Sequence, residues 1–457
     1  MFNRNIIQEL EKWRDKKKRK PLVLRGARQV GKTTVIEQFS KKFKQYIYLN
    51  LELASDRRAF EEFTDIETLV QTIFFSKNKE LFKSKDTLIF IDEIQEVSEA
   101  FNTLRYFYEK RPEIAVIAAG SMLETIFDNK LSFPVGRVDF LVLRPVSFPE
   151  FLEALGEKPA LEQLKNIPLK TFAFDKLIKL FHTYALIGGM PEIVSEYVQS
   201  KDLTALGNLY EGLIVSYIDD VEKYADNNTQ INVIRHVIKT SYLEAGKRIK
   251  FQGFGKSNYG SREVGEALRT LEKTFLLHLL YPTSGIALPI LPELQKSPRL
   301  QVLDTGLLNY FTGLQKEVIG TSDLQSVHQG LIIEHLVGQE LLAEKYNALS
   351  GLNFWVREKN TSSAEVDYLH SYNAKLIPVE VKSGKTGKLR SLHLFMDGAS
   401  HNMAVRFHSG QLSVGEVITP AGKKFYLMSL PYFLVSQLEK YLDWFEEQIS
   451  SKKKKKA

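Results

Sequence analysis

The chain has no cysteine, which excludes disulfides and zinc–thiolate centres and suits a reducing compartment. No apolar run approaches the roughly 20 residues that a membrane-spanning helix needs. The opening Met1-Phe-Asn-Arg-Asn5 lacks the pattern of a secretory leader. The nine histidines never fall in an H-x-x-x-H or H-E-x-x-H spacing, so a zinc hydrolase of that kind is excluded. No Ser–His–Asp set can be proposed from spacing. Two basic runs, Lys16–Lys20 and Lys452–Lys456, contain no interleaved aromatics. The tail run supplies five of the net charge of +7, so both read first as solvated ends and only second as weak nucleic-acid contacts. The expectation is a soluble cytoplasmic protein without membrane contact.

What is present is ordinary globular material: 44% hydrophobic and 26% charged residues in 457, enough for two or three cores. Within it, Gly26-Ala27-Arg28-Gln29-Val30-Gly31-Lys32-Thr33 reads G-x-x-x-x-G-K-T, and Thr34 continues it. An apolar Pro21-Leu-Val-Leu24 precedes the motif and helical spacing follows, the strand–loop–helix setting of a phosphate-binding loop. Glycines let several N–H groups turn toward one point, and the helix start adds its positive dipole end. Lys32 would reach the β- and γ-phosphates of ATP, and the Thr33 hydroxyl would bind Mg²⁺.

The run Thr87-Leu-Ile-Phe-Ile91 reads as a central strand buried on both faces, ending in Asp92-Glu93. Asp92 would hold Mg²⁺ through water and Glu93 would polarise the attacking water; the plain alternative is an acidic helix start. A third strand, Ile114–Ala119, ends in Gly120-Ser121. Ser121 is placed to contact the γ-phosphate or to cap the next helix. Arg137 lies beyond that helix, where an arginine stabilises transition-state charge in cis or across a subunit boundary, or is a surface residue.

This order of phosphate loop, acidic strand, polar-tipped strand and arginine resembles the AAA+ ATPases. The phrases Arg25–Thr34, Phe90–Glu96 and Leu143–Leu152 resemble a widespread bacterial and archaeal group in which the AAA+ core precedes a C-terminal domain of unknown function. The resemblance extends over nearly the whole chain. It implies an α/β, P-loop parallel-sheet core with ATP and Mg²⁺ as ligands, and a homo-oligomer is compatible with it.

Beyond about residue 150 the pattern becomes helical. Gly188-Gly-Met-Pro191 breaks one helix and recurs in the resembled group; a tight turn explains it without chemistry. The acids Asp219, Asp220 and Glu222 read as a solvated helix face. Residues 228–286 suggest a winged helix: one helix at 232–238, a second capped by Ser261, then a hairpin of 276–281 with 286–290. Such a unit contacts either DNA or protein. Ser297–Leu308 reads as a strand and a helix.

The C-terminal part holds a second acidic set. Val379-Glu380-Val381-Lys382 puts Glu380 and Lys382 on one strand face, Asp367 falls on a preceding strand, and Glu334 on an amphipathic helix. Carboxylates with a neighbouring lysine can bind Mg²⁺ and activate water against a phosphodiester. The ordered set resembles the restriction-endonuclease-like superfamily. The alternative is a salt-bridged core on a similar fold. Arg357 is placed to touch phosphate or pair with Glu334, and Trp355 reads as core.

The reading is therefore an AAA+ ATPase domain at 1–160, a helical and winged-helix region at 161–295 and a nuclease-like α/β domain at 296–457. ATP hydrolysis by Glu93, Lys32, Thr33 and Asp92 would be coupled to DNA cleavage or binding. The alternatives are a nucleotide-gated binding protein with an inactive nuclease fold, acting on DNA or a protein partner, and more weakly a phosphotransferase.

Overall fold

The computed structural model describes residues 2–120, 136–220, 225, 227–314, 329–359, 362–382, 384 and 389–456. Ser121 and Glu222 lie outside these.

Five parallel strands form the first sheet: β1 (Leu22–Arg25), β2 (Gln45–Asn50), β3 (Thr87–Asp92), β4 (Ala115–Ala119) and β5 (Asp139–Val142), in the order β2-β3-β4-β1-β5. Alternate residues face opposite cores. Leu88 and Phe90 join the cluster on one side, while Ile89 and Ile91 join the cluster on the other. Burial of both faces is why β3 and β4 read as unbroken apolar runs. The strand pairs place Gly26, Asp92 and Ala119 at one edge, the carboxyl ends, where open α/β sheets bind ligands.

A helical region follows, with helices Phe148–Ala154, Phe174–Ile187, Pro191–Ser200, Gly207–Asp219, Asn228–Ser241 and Ser261–Lys273. The last begins after Gly260, not at a Ser261 cap, and the Glu263 carboxylate accepts from Gly260 N–H at 2.8 Å. The hairpin expected with 286–290 does not form. β6 (Leu277–Leu280) instead pairs antiparallel with β8 (Arg299–Val302), and the short β7 (Pro282–Thr283) pairs parallel with β9 (Phe354–Lys359). Pro289 cannot donate to a ladder, and Ile286 and Ile290 turn onto an apolar cluster of the C-terminal sheet. The strand–helix reading of 297–308 holds, as β8 followed by helix Thr305–Phe311.

The C-terminal region has a mixed five-stranded sheet, β11 (Tyr368–Tyr372), β12 (Lys375–Val381), β13 (Met403–His408), β15 (Lys424–Pro431) and β14 (Ser413–Ile418), in that order. β12, β13 and β15 are parallel, and the two edge strands run antiparallel to them. β10 (Ser362–Val366) pairs with β9 beside it. The helix Gln329–Ala343 is not amphipathic as expected: Ile333 and all of His335–Leu342 are buried. It touches helices Phe174–Ile187 and Thr305–Phe311 as well as β8 and β12, which is why its residues 335–342 are buried all round. One apolar cluster runs from Ile6 to Ile449 and joins the three regions. Among the described residues, no helix is long and apolar enough to cross a membrane.

Candidate functional site

The turn after β1 needs glycine at both ends. Gly26 has φ +145° and a Cβ there would sit 2.3 Å from the Leu143 carbonyl oxygen, while Gly31 has φ +91° where it precedes helix Lys32–Ser40. Lys32 is 7% exposed and its ammonium donates to the Gly26 and Ala27 carbonyls, each at 3.0 Å. Burial pushes its pKa down, against the pull of Glu93 and Asp92. Thr33 Oγ1 donates to Asp92 Oδ2 at 2.7 Å. The same oxygen accepts from the Tyr48 hydroxyl at 3.3 Å, and Asp92 Oδ1 accepts from Glu93 N–H at 3.1 Å. Burial raises the Asp92 pKa, and Glu93 adds to this; the Thr33 hydroxyl and Lys32 oppose it.

Glu93 sits in the left-handed region, φ 50° and ψ 46°. A non-glycine residue there costs about 1–3 kcal/mol, a strain that clusters at working sites. Gln95 Nε2 donates to Glu93 Oε2 at 2.5 Å.

Arg28 is held from outside the loop. Its guanidinium ion-pairs with Asp220, and its carbonyl accepts from the Tyr217 hydroxyl at 3.2 Å. Asp220 is therefore no solvated acid: it is 8% exposed, at the end of a helix that lies on the loop. Arg137 falls elsewhere. Its neighbour Asp139 is in register with Leu22, at the amino end of β1, and Arg137 Nε donates to Glu109 at 3.2 Å. β1 spans four residues at about 3.3 Å each, and that length separates Arg137 from the phosphate loop of its own chain. A cis contact with the nucleotide does not follow from this placement.

Sequence reasoning missed Arg4 and Glu150. Arg4 Nη1 donates to the Val30 carbonyl at 3.1 Å and Nη2 to the Arg144 carbonyl at 2.5 Å. Its Nε lies 3.1 Å from Glu150 Oε1, an ion pair by distance and not an aligned hydrogen bond, since Nε has no hydrogen-bond partner. Glu150 also accepts from Ser147 N–H at 2.9 Å, and the capping spacing Ser147-x-x-Glu150 was the available signal. Beside the loop lies a cavity of about 450 Å³, whose walls include Phe2, Arg4, Gln29, Gly31, Gln38 and Pro191.

The C-terminal acids do converge, but around a cation. The Arg299 guanidinium, on β8, ion-pairs with Glu334 and donates to the Asp367 carbonyl. It lies 3.6 Å from Glu365 Oε1 and 3.9 Å from Asp367 Oδ1, and stacks over Phe354 and Tyr368 at 4.7 and 5.1 Å. Arg299, not Arg357, is the partner of Glu334. Asp367 Oδ2 accepts from Val381 N–H at 2.7 Å, and Lys382 ion-pairs with Glu380. Burial pushes the carboxyls of Glu334, Asp367 and Glu380 upward, and Arg299 or Lys382 opposes it. Among the described residues, no group of three or more His, Asp or Glu is arranged to hold a metal ion. Trp355 is core, edge-on to Phe395 at 5.4 Å.

Comparison with known proteins agrees with the first of these two regions. Residues 18–152 match the family model of an AAA domain, and this segment carries the phosphate loop and all five strands of the parallel sheet. Two further models, described only as domains of unknown function, match residues 178–318 and 329–432. No curated protein matches the chain in sequence. Among solved structures, the Walker-type ATPase paby2304 of Pyrococcus abyssi superposes with a TM-score of 0.45 at 15% identity, over 68% of this chain and 96% of that one. The replication initiator DnaA, bound to AMPPCP and single-stranded DNA, gives 0.27 at 14%, over 59% and 86%.

Proposed function

We propose that the chain binds and hydrolyses ATP at the phosphate loop, and that its C-terminal region is a nucleotide-responsive binding module and not a working nuclease. The observation that carries the first part is the 2.7 Å contact between Thr33 Oγ1 and Asp92 Oδ2. Two hard oxygen donors from different elements meet at the loop, which fits Mg²⁺. Thr33 and Asp92 would hold that ion, which neutralises phosphate charge when bound. Lys32, freed from its own loop carbonyls, would meet the terminal phosphates. Glu93 would take a proton from the attacking water as its oxygen bonds the γ-phosphorus and the bond to the bridging oxygen breaks. The cavity beside Gly31, lined by Phe2 and Pro191, would take the base and ribose.

The second part rests on Arg299. A guanidinium already among Glu334, Glu365 and Asp367 offsets part of the charge that a divalent ion would need. The nuclease reading keeps one supporting observation: Glu380 Oε2 is buried without a hydrogen-bond partner, close to Asp367 and Lys382. Phosphate release and DNA integrity, followed together for wild type and Glu93→Gln, separate the readings. Turnover in the wild type that is lost in the variant, with DNA intact, is expected. Mg²⁺-dependent cutting abolished by Asp367→Ala would restore the nuclease reading, and no ATP binding at all would sink the first part.

A further inference from the structure

The turn Gly188-Gly-Met-Pro191, which the loop chemistry does not use, joins the cavity wall to the C-terminal region. Pro191 is on that wall and begins helix Pro191–Ser200; its Cγ would lie 3.6 Å from a Cβ built on Gly31. Two residues upstream the backbone is locked. Gly189 N–H donates to Asp304 Oδ2 at 2.5 Å, and Asp304 is 0% exposed. A Cβ on Gly188 would stand 2.2 Å from Asp304 Oδ1, and one on Gly306 2.0 Å from the Ile187 carbonyl oxygen, so the two segments touch backbone to backbone. Asn309 Nδ2 donates to the Ala185 carbonyl at 2.8 Å. The helix Thr305–Phe311 thus holds the end of helix Phe174–Ile187 and the turn after it.

The same carboxylate reaches into the C-terminal region. Gln339 Nε2 donates to Asp304 Oδ2 at 3.3 Å and to the Tyr184 hydroxyl at 3.2 Å, and Gln339 Oε1 accepts from Thr305 N–H at 2.9 Å. Gln339 stands on helix Gln329–Ala343, five residues after Glu334, the partner of Arg299. One helix therefore meets the segment behind the nucleotide cavity through Gln339 and the acidic cluster through Glu334.

We infer that Asp304 is a positioning residue for nucleotide binding, which fixes Gly189 and with it the Pro191 wall, and that through Gln339 it couples occupancy of the cavity to helix Gln329–Ala343. This rests on the reading of the cavity as the nucleotide's. A contact that nucleotide strengthens must in turn strengthen nucleotide binding, because coupling between two sites is reciprocal. Four hydrogen bonds meet at the Asp304 carboxylate from three segments, and in a close-packed interior a shift of the turn is felt by the partners it touches.

Asp304→Asn is the test, because it separates two jobs. Asn and Asp cap a helix equally well, so an amide oxygen kept toward Gly306 and Leu307 N–H, which Asp304 Oδ1 accepts at 2.9 and 3.1 Å, preserves the cap. The amide nitrogen then faces two donors, Gly189 N–H and Gln339 Nε2, and both bonds are lost. The expected result is ATP affinity weakened about tenfold, the usual scale for an unpaired buried donor. In the wild type, saturating ATP should slow amide exchange in 329–343, and in Asp304→Asn it should not. Gln339→Leu, which leaves the Asp304–Gly189 bond in place, should lose the exchange response and weaken affinity less than Asp304→Asn does, because only the coupling contact is removed. Wild-type affinity and exchange response in folded Asp304→Asn overturn the inference; should that variant not fold, an undiminished exchange response in Gln339→Leu does the same. Wild type that binds ATP no better than Lys32→Ala overturns instead the reading of the cavity.

Discussion

Two places in this chain gather buried carboxylates near a basic side chain, and they end in opposite states. At the phosphate loop the cation, Lys32, leans on backbone carbonyls, while the Asp92 carboxylate, among the described residues, accepts from two hydroxyls and an N–H. The charge of Asp92 is left for something else. In the C-terminal cluster the cation is inside the acids: Arg299 pairs with Glu334, reaches Asp367 and is stacked on two aromatic rings. Residue types that spell a metal site are the same in both. What differs is whether the fold has already supplied the counter-charge, and a linear motif does not report that.

The largest effect expected from this contrast is at Glu93. Glu93→Gln should lower ATP turnover by roughly 10²–10⁴ while ATP still binds, as removal of a general base does; turnover within a few-fold of wild type would mean that the acids at the loop do no chemistry. The mirror experiment is Arg299→Met. Catalysis should be spared at first, but Glu334 and Asp367 lose a buried counter-ion. We expect a loss of about 3–5 kcal/mol in urea unfolding. Mn²⁺ sharpens the contrast: it should leave wild-type unfolding unchanged at this cluster and partly rescue Arg299→Met. Strong stabilisation of the wild type by Mn²⁺, lost in Asp367→Ala, would erase the difference between the two regions.

These contrasts explain what could be read in advance. The phosphate loop is eight contiguous residues whose glycines, lysine and threonine act where they stand, and Asp92-Glu93 needs only a buried strand to deliver it. Glu380, on β12, and Lys382, just past its end, are two apart, so their pairing was also legible. Arg299 reaches Glu334 over 35 positions and Asp367 over 68, and Arg28 meets Asp220 across 192; no local pattern encodes such distances. The hairpin at 286–290 failed for a different reason. Its apolar alternation was real, but Ile286 and Ile290 serve another core. Helix 329–343 misled by the reverse route, because its polar residues His335, Gln339 and Glu340 are buried and bonded, where amphipathic spacing would have put them in water.

Glu340 offers a third state of a buried acid, neutralised by a proton and not by a cation. Burial raises its pKa from 4.5 to about 8, and the Tyr184 hydroxyl and Phe148 N–H oppose the shift. The folded chain thus keeps a proton that the unfolded chain gives up near 4.5. Its stabilising contribution is complete below that pH and is lost as the pH rises toward 8, by up to about 1.4 kcal/mol per unit. Glu340→Gln should remove this part of the slope: the difference between wild type and variant in urea unfolding should shift against the wild type from pH 5 to pH 8. A difference independent of pH would place a charged carboxylate there, making Glu340 like Asp92.

The smallest effect belongs to Arg137. In its own chain it is at the amino ends of the strands, paired with Glu109 at 3.2 Å in a solvent-screened contact, while the phosphates would bind at the carboxyl ends. Arg137→Ala should therefore change turnover by less than about twofold in dilute protein, where each chain must supply its own machinery. An arginine from a neighbouring subunit is worth far more, on the order of 10³ or above where it meets the transferred phosphate. Turnover per chain that climbs with concentration in wild type but stays flat in Arg137→Ala would bring Arg137 into the first region after all, from a second copy. A flat profile in both makes it a surface residue, and leaves the loop, Asp92 and Glu93 as the hydrolytic candidates among the described residues of one chain.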